Sequence, residues 1–311
     1  MTTLSIIVPC YNEEETVELF YQAVEKVKVS LPQQMELEYL FINDGSSDQT
    51  LMKLRQLQQK DEAHVHYVSF SRNFGKESAL YAGLQKANGD YIVVMDADLQ
   101  DPPEMLPEMV QLLEQNKEYD CIGTRRVDRK GEPKIRSLFA RAFYKLINKI
   151  SDTEMIDGVR DFRMMRRQMV DAVLELSEVN RFSKGIFSWV GFNTYYLPYE
   201  NVERVAGKTS WSFWGLFRYS IEGITDFSDV PLSIASFVGM ASCIISLIGL
   251  VVIIVRTLLF GDPTMGWPSL VCFILFLGGL QLFCLGIVGK YIGKIFKETK
   301  KRPIYIVKEE K

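Results

Sequence analysis

Two acids separated by one residue, Asp96-Ala97-Asp98, close the apolar run Tyr91 to Met95 and lead into Leu99-Gln100-Asp101-Pro102-Pro103. Carboxylates left uncompensated at the end of a buried strand would be costly. A divalent cation bridging them to a diphosphate removes that cost, and hard oxygen ligands suit Mg2+ or Mn2+. Such an ion would neutralise charge on a departing nucleoside diphosphate. The plainer alternative is that the acids cap a helix opened by Pro102 and Pro103.

Three more polar clusters follow apolar runs. Asn43-Asp44-Gly45-Ser46-Ser47-Asp48-Gln49-Thr50 reads as a turn and a helix cap, with Asp48 or Ser47 capping. That leaves Asp44 at the strand end, where it could accept hydrogen bonds from a nucleobase or ribose. Pro9-Cys10-Tyr11-Asn12-Glu13-Glu14 offers Tyr11 to pack on a base and Glu13 to a ribose hydroxyl. Its acids suit a helix N-terminus equally well. Ser71-Arg72-Asn73-Phe74-Gly75-Lys76 brings a glycine and two cations to a helix start. That suits the approach of a phosphate, or is a solvated basic loop.

These clusters need a scaffold that gathers them. Leu4 to Pro9, Glu38 to Ile42, Val65 to Phe70 and Tyr91 to Met95 read as strands. Glu14 to Val29, Thr50 to Gln59 and Ser78 to Lys86 carry helical spacing between them. Strands alternating with helices predict an α/β domain with a mostly parallel sheet covered on both faces. Ligands in such sheets sit beyond the carboxyl ends of the strands, where all four clusters lie.

The rest of the chain is different in kind. Of its 311 residues, 47% are hydrophobic, but residues 232–290 are almost free of charge. Leu232 to Val255 and Trp267 to Val288 are each long enough to cross a bilayer. Gly261, Asp262 and Pro263 turn the chain between them. A helical hairpin is predicted, with Trp267 at an interface; two buried core helices are the alternative. Lys290, Lys294, Lys297, Lys300, Lys301 and Arg302 follow the second run. The positive-inside rule then places both termini in the cytoplasm, with the lysines near anionic headgroups. The expected division is a cytosolic domain over residues 1–230, two membrane helices over 231–290 and a basic cytosolic tail over 291–311.

A net charge of −3 argues against bulk nucleic-acid binding. Five cysteines, scattered and odd in number, suggest neither a disulfide framework nor a zinc site and fit a reducing compartment. No basic start followed by a long apolar run opens the chain, so residues 1–9 read as a strand and not as a signal peptide.

Taken together, Ser5 to Glu14, Asp44 to Thr50, Arg72 to Lys76 and Asp96 to Pro103 resemble the family 2 inverting glycosyltransferases. Within that family they are similar to the dolichol-phosphate mannose synthase group, and most of all to bactoprenol glucosyltransferases with a C-terminal membrane hairpin. The resemblance covers nearly the whole chain. It implies a GT-A fold, Rossmann-like, and donor contacts from Pro9, Tyr11, Glu13, Asp44, Lys76 and Asp96. Asp44 would read uridine or guanosine; Asp96 and Asp98 would hold the metal, with Gln100 a further ligand. Asp161-Phe162-Arg163 matches the motif whose aspartate is the usual catalytic carboxylate. Arg160 stands where relatives often have glycine, and Asp157 is the fallback. Arg181-Phe182-Ser183-Lys184 and Lys208-Thr209-Ser210-Trp211 resemble the loops that close over donor and acceptor. Ser210 replaces a common lysine there, with Lys208 as substitute.

The resemblance implies hexose transfer, glucose from UDP-glucose favoured, with mannose, galactose or an N-acetylhexosamine as alternatives, to undecaprenyl or another polyprenyl phosphate at the cytoplasmic face of the cell membrane. The acceptor phosphate needs cations. Arg125, Arg126, Arg129, Lys134 and Arg136 follow the strand Cys121 to Gly123, and Lys184 and Lys208 join them. Segments at about 137–150 and 211–226 have apolar stripes suited to interfacial helices or to ordinary core. Interfacial helices and hairpins often self-associate, so a homo-oligomer is compatible with the sequence. The rival readings are a nucleotidyltransferase using the same two acids, a membrane scaffold without catalysis, and a processive synthase, whose Gln-X-X-Arg-Trp signature is absent.

Overall fold

The computed structural model describes residues 2–126, 148, 156, 158–199, 224–260 and 266–311. Its first half alternates as the sequence predicts: β1 (Thr2–Cys10), α1 (Val17–Lys28), β2 (Met35–Asn43), α2 (Thr50–Lys60), β3 (Val65–Phe70), α3 (Lys76–Lys86) and β4 (Tyr91–Val94). A short 3-10 turn at Pro103–Met105 opens α4 (Leu106–Gln115), so the paired prolines do begin a helix. Then come β5 (Cys121–Arg126), β6 (Val159–Arg166), α5 (Arg167–Glu175), α6 (Ser183–Trp189) and β7 (Thr194–Tyr199). Two long helices, α7 (Val230–Phe260) and α8 (Trp267–Thr299), precede a last short strand, β8 (Val307–Glu310).

The eight strands form one sheet in the order β7-β5-β6-β4-β1-β2-β3-β8. β3, β2, β1 and β4 are mutually parallel. β6 runs antiparallel between β4 and β5, and β7 pairs parallel with β5. The register of β4 on β6 sets Val94 opposite Arg163. Continued past the end of β4, it sets Asp96 opposite Asp161.

Helices cover both faces. Side chains alternate across the sheet, so Ile6, Phe41 and Val93 join one core layer with Phe20 of α1 and Met109 of α4. Ile7, Ile42 and Val94 join the other with Leu80 of α3 and Val170 of α5. The helix α1 buries Val17, Phe20, Tyr21, Val24 and Val27, one stripe at helical spacing. Fully burying each large apolar side chain contributes about 1.5–3 kcal/mol, which fixes strand register face by face.

The C-terminal helices lie against each other and against the sheet domain. The Tyr291 hydroxyl donates to the Ser228 carbonyl at 2.7 Å, and Lys294 pairs with Asp226. Near the end of α8, Glu298 accepts from the backbone N–H of Val179 and of Asn180 and from the Asn180 amide. Large apolar side chains along both helices, among them Phe237, Met240, Phe273 and Phe283, are exposed. Among the described residues one stretch, Phe276–Thr299, is long and apolar enough to cross a membrane. Of the expected segments at about 137–150 and 211–226, all but residues 148 and 224–226 lie outside the described residues.

The sheet closes tightly on α3. A Cβ added at Gly83 would stand 2.2 Å from Cγ2 of the fully buried Ile7. Gly83→Val should therefore destabilise the domain by about 1–3 kcal/mol, the usual cost of overpacking a filled core. Chemical denaturation of the two proteins side by side checks this; equal midpoints would mean that α3 can lift off β1.

Candidate functional site

All four polar clusters meet at the carboxyl ends of β1 to β4, and hydrogen bonds knit the Pro9–Glu14 cluster to the Asn43–Thr50 cluster. Asn12 N–H donates to the Ser46 hydroxyl at 3.0 Å, and Ser47 N–H to the Asn12 side-chain oxygen Oδ1 at 2.9 Å. Glu13 N–H reaches the Thr50 hydroxyl at 2.8 Å, while the Glu13 carboxylate accepts from Thr16 at 2.6 Å. Asp48 accepts from the backbone N–H of Thr50 at 3.0 Å, one residue ahead of the helix cap. The N-cap of α2 is Gln49, without a side-chain cap bond, and not Asp48 or Ser47 as expected; Asp44 is the acid left over. Tyr11 stands 47% exposed at the rim, able to lie against a flat ring.

Asp44 is buried and held by backbone. Its two carboxylate oxygens accept from the N–H groups of Phe74, at 2.6 Å, and Gly75, at 2.9 Å. Burial raises its pKa, and those two N–H donors oppose the rise. The contact depends on the next residue. Gly45 has φ +62, and a Cβ there would lie 2.2 Å from the Arg72 carbonyl carbon. Only glycine lets the second and fourth clusters approach so closely.

The centre of the site is Lys76, the first residue of α3. Its ammonium lies 2.7 Å from Asp96 and 2.7 Å from Asp161. Burial would raise the Asp161 pKa, but Lys76, Lys184 and Arg163 hold its carboxyl well below the usual carboxylate range. The same pair of acids raises Lys76, against a burial that would lower it. Lys184, on the first turn of α6, is near enough for its charge to help lower the Asp161 carboxyl. That turn is fixed by Glu77, whose half-buried carboxylate accepts from the Ser183 backbone N–H at 2.9 Å and from its hydroxyl.

The second acid of the pair, Asp98, is buried and accepts from Gln100 N–H at 3.1 Å. Between them Leu99 has φ +58, unusual for a bulky side chain and a mark of a strained turn. Asp101 is almost wholly buried, and its Oδ1 has no hydrogen-bond partner; Arg160 lies 3.7 Å from it. Burial and the neighbouring Asp96 push Asp101 up to about 7. Arg160 also donates to the Tyr199 hydroxyl at 3.1 Å and to the Gln100 side-chain oxygen at 3.3 Å. Among the described residues no three acids, histidines or cysteines gather closely enough to hold an ion unaided. The oxygen donors of Asp96, Asp98 and Gln100, beside an orphaned buried carboxylate oxygen, do fit a hard cation that completes its shell with substrate phosphate.

Thus Lys76, Asp96, Asp161 and Lys184 come together, with Asp44 one loop away. Pro9 lies in β1 opposite Ile42. Arg125 is exposed and Arg126 half-buried at the end of β5, near Tyr199. Asp157, Lys134, Arg136 and Lys208 lie outside the described residues. Sequence reading passed over Arg160, Asp101, Glu77 and Tyr199 as site residues. Arg160 carried the one available signal, as a cation where the resemblance leads to an expectation of glycine.

Comparison with known proteins sets this arrangement in a family. Residues 5–174, which hold the acids and Lys76, match the pattern of "Glycosyl transferase family 2". The chain belongs to that family. It is a glycosyltransferase with a GT-A-like, mostly parallel sheet. A bactoprenol glucosyl transferase of Shigella phage SfV is 43% identical over 99% of both chains. A prophage bactoprenol glucosyl transferase homolog of Escherichia coli (strain K12) is 42% identical over the same shares. The "Putative glycosyltransferase CsbB" of Bacillus subtilis (strain 168) is 44% identical over 98% of this chain and 91% of its own. Among solved structures, mannosyl-3-phosphoglycerate synthase from Rubrobacter xylanophilus matches 72% of each chain at 16% identity, with a TM-score of 0.47. That likeness is too loose to bear on substrate.

Removing the Lys76 charge tests the electrostatics. In Lys76→Met the burial of Asp161 remains while its nearest cation is gone, so its pKa moves up. The acid limb of the pH–rate profile should shift to higher pH, with kcat down by about 10²–10³-fold. An acid limb that stays in place would show that Asp161 is not the group titrating there.

Proposed function

We propose that the chain transfers a hexose, glucose from UDP-glucose favoured, to polyprenyl phosphate at the cytoplasmic face of a membrane, with inversion at the anomeric carbon. The observation that carries this reading is the shared Lys76, which ties Asp96 of the proposed metal-binding pair to Asp161 of the Asp-Phe-Arg motif. The reading is supported by relatives named bactoprenol glucosyl transferase that are 43% and 42% identical along the whole chain.

In this reading the donor's base lies against Tyr11 and its ribose meets Glu13, with Pro9 and Asp44 shaping the floor. The diphosphate approaches Lys76 at the start of α3, where helix N–H groups and the ammonium favour an anion. Asp96, Asp98 and Gln100 would hold Mg2+ or Mn2+, which supplies charge neutralisation for the departing diphosphate. The acceptor phosphate is already anionic and needs little deprotonation. Its oxygen attacks in line with the leaving group, and the protein's contribution is positioning and electrostatics. Asp161 orients the acceptor, with Asp157 as the alternative carboxylate. Arg125, Arg126 and Lys184 offer cations to the lipid phosphate, joined by Lys134, Arg136 and Lys208.

A lipid acceptor calls for a membrane. The exposed apolar side chains of α7 and α8 fit acyl chains, and the two helices form the proposed hairpin over residues 231–290. The cations from Lys290 to Arg302 hold its ends at a cytoplasmic headgroup layer. Residues 1–230 form the cytosolic catalytic part, residues 291–311 the tail. Self-association through the hairpin is compatible with this placement.

Purified protein given undecaprenyl phosphate, Mg2+ or Mn2+ and a panel of radiolabelled nucleotide sugars should form a lipid-linked sugar, most rapidly from UDP-glucose. Asp96→Asn should lower that rate by about 10²-fold or more. Arg126→Ala should raise the KM for the lipid and spare that for the donor. Nucleotide transfer without any lipid product would overturn the reading, and equal loss of both affinities would remove Arg126 from the acceptor site.

A further inference from the structure

The last residues of the chain return to the sheet on the side that holds Asp44. β8 pairs antiparallel with β3, setting Phe70 opposite Val307 and Val68 opposite Glu310. Backbone bonds extend the pairing at both ends: Tyr67 and Lys311 exchange two at 3.0 Å, and Ser71 N–H donates to the Ile306 carbonyl at 2.9 Å. Glu309 pairs with Arg55 and accepts from the Tyr67 hydroxyl, and Lys86 meets Glu310 at 2.8 Å.

Tyr305, just before this strand, does something more specific. Its ring stacks on Phe70 at 4.8 Å between centroids and 19° between planes. Its hydroxyl donates to the Gln85 side chain at 2.8 Å. Phe70 in turn meets Phe74 edge-on at 5.9 Å. Phe74 is the residue whose N–H, with that of Gly75, holds the Asp44 carboxylate. A continuous run of packed rings therefore joins the C-terminal strand to the loop that leads into Lys76.

We propose that Tyr305 is a positioning residue for the donor pocket: through Phe70 and Phe74 it keeps the 72–76 loop seated on Asp44, so that the C-terminal strand helps to set donor affinity. The inference rests on the donor role given above to Asp44 and Lys76. It does not require Tyr305 to touch substrate. Arene pairs of this kind are worth enough to shift a local equilibrium by about two- to tenfold.

The experiment uses the full-length protein in detergent and compares wild type, Tyr305→Ala and Tyr305→Phe. Hydrogen exchange of the ligand-free proteins is read at the Phe74 and Gly75 amides, with β5 and β7 as internal reference. Tyr305→Ala should speed exchange at 74 and 75 by about two- to tenfold and leave the reference strands unchanged. Tyr305→Phe, which keeps the stack and loses only the bond to Gln85, should stay near wild type. With the preferred nucleotide sugar, the donor KM of Tyr305→Ala should rise by a similar factor while kcat and the lipid KM hold. Unchanged exchange at 74 and 75 would overturn the inference, as would faster exchange everywhere, which would mean general destabilisation. A loosened loop with an unchanged donor KM would instead overturn the donor role of Asp44, and with it the claim that β8 sets affinity.

Discussion

One ammonium between two carboxylates organises this molecule. Asp96 follows a parallel strand and Asp161 lies in an antiparallel one, and both belong to the rim of the same sheet. Two acids this close would repel each other and resist burial. Lys76 resolves that conflict from a third element, the start of α3. The three residues are mutually dependent: strand order brings the acids together, and the helix start supplies the charge that makes their proximity tolerable. Breaking such a set by removing one partner is expensive because the rest stays behind in a poorly solvated place.

The pairing of β4 with β6 is therefore the decisive topological event. A purely parallel sheet would carry each strand end to a loop and a covering helix. Inserting β6 in the opposite direction returns the chain to the same rim at Asp161. Arg160 and Arg163 flank that acid on the strand, one turned to Asp101, Gln100 and Tyr199, the other stacked 4.1 Å from the Phe187 ring. The site is thus built from charges of both signs in alternation, so an arriving diphosphate would find cations already ordered.

Much of this could be read from the sequence, and the reasons are local. The runs Leu4 to Pro9 and Tyr91 to Met95 are apolar because both faces of their strands are covered. The polar clusters then fall at strand ends by the geometry of the fold. What escaped reading was set by tertiary pairing. Val159–Arg166 carries Arg160, Asp161, Arg163 and Arg166, so it lacks the apolar alternation of a strand, yet the sheet takes it in. Val307–Glu310 is nearly all charged and pairs through its backbone and the Arg55–Glu309 contact. Arg160 could be seen as a departure from a familiar pattern, but its partners Tyr199 and Gln100 lie far away in sequence. The Lys76 bridge itself joins three segments, and no spacing rule connects them.

The grip of Glu298 on residues 179 and 180 has a mechanical meaning. That carboxylate belongs to the last turn of α8, and the backbone it holds leads directly to Ser183 and Lys184. The segment is therefore held at both ends, to α8 by Glu298 and to α3 by Glu77. If that helix sits in a bilayer, its tilt answers to hydrocarbon thickness, and a change of tilt would load the backbone between Glu298 and Glu77, the stretch that carries Lys184.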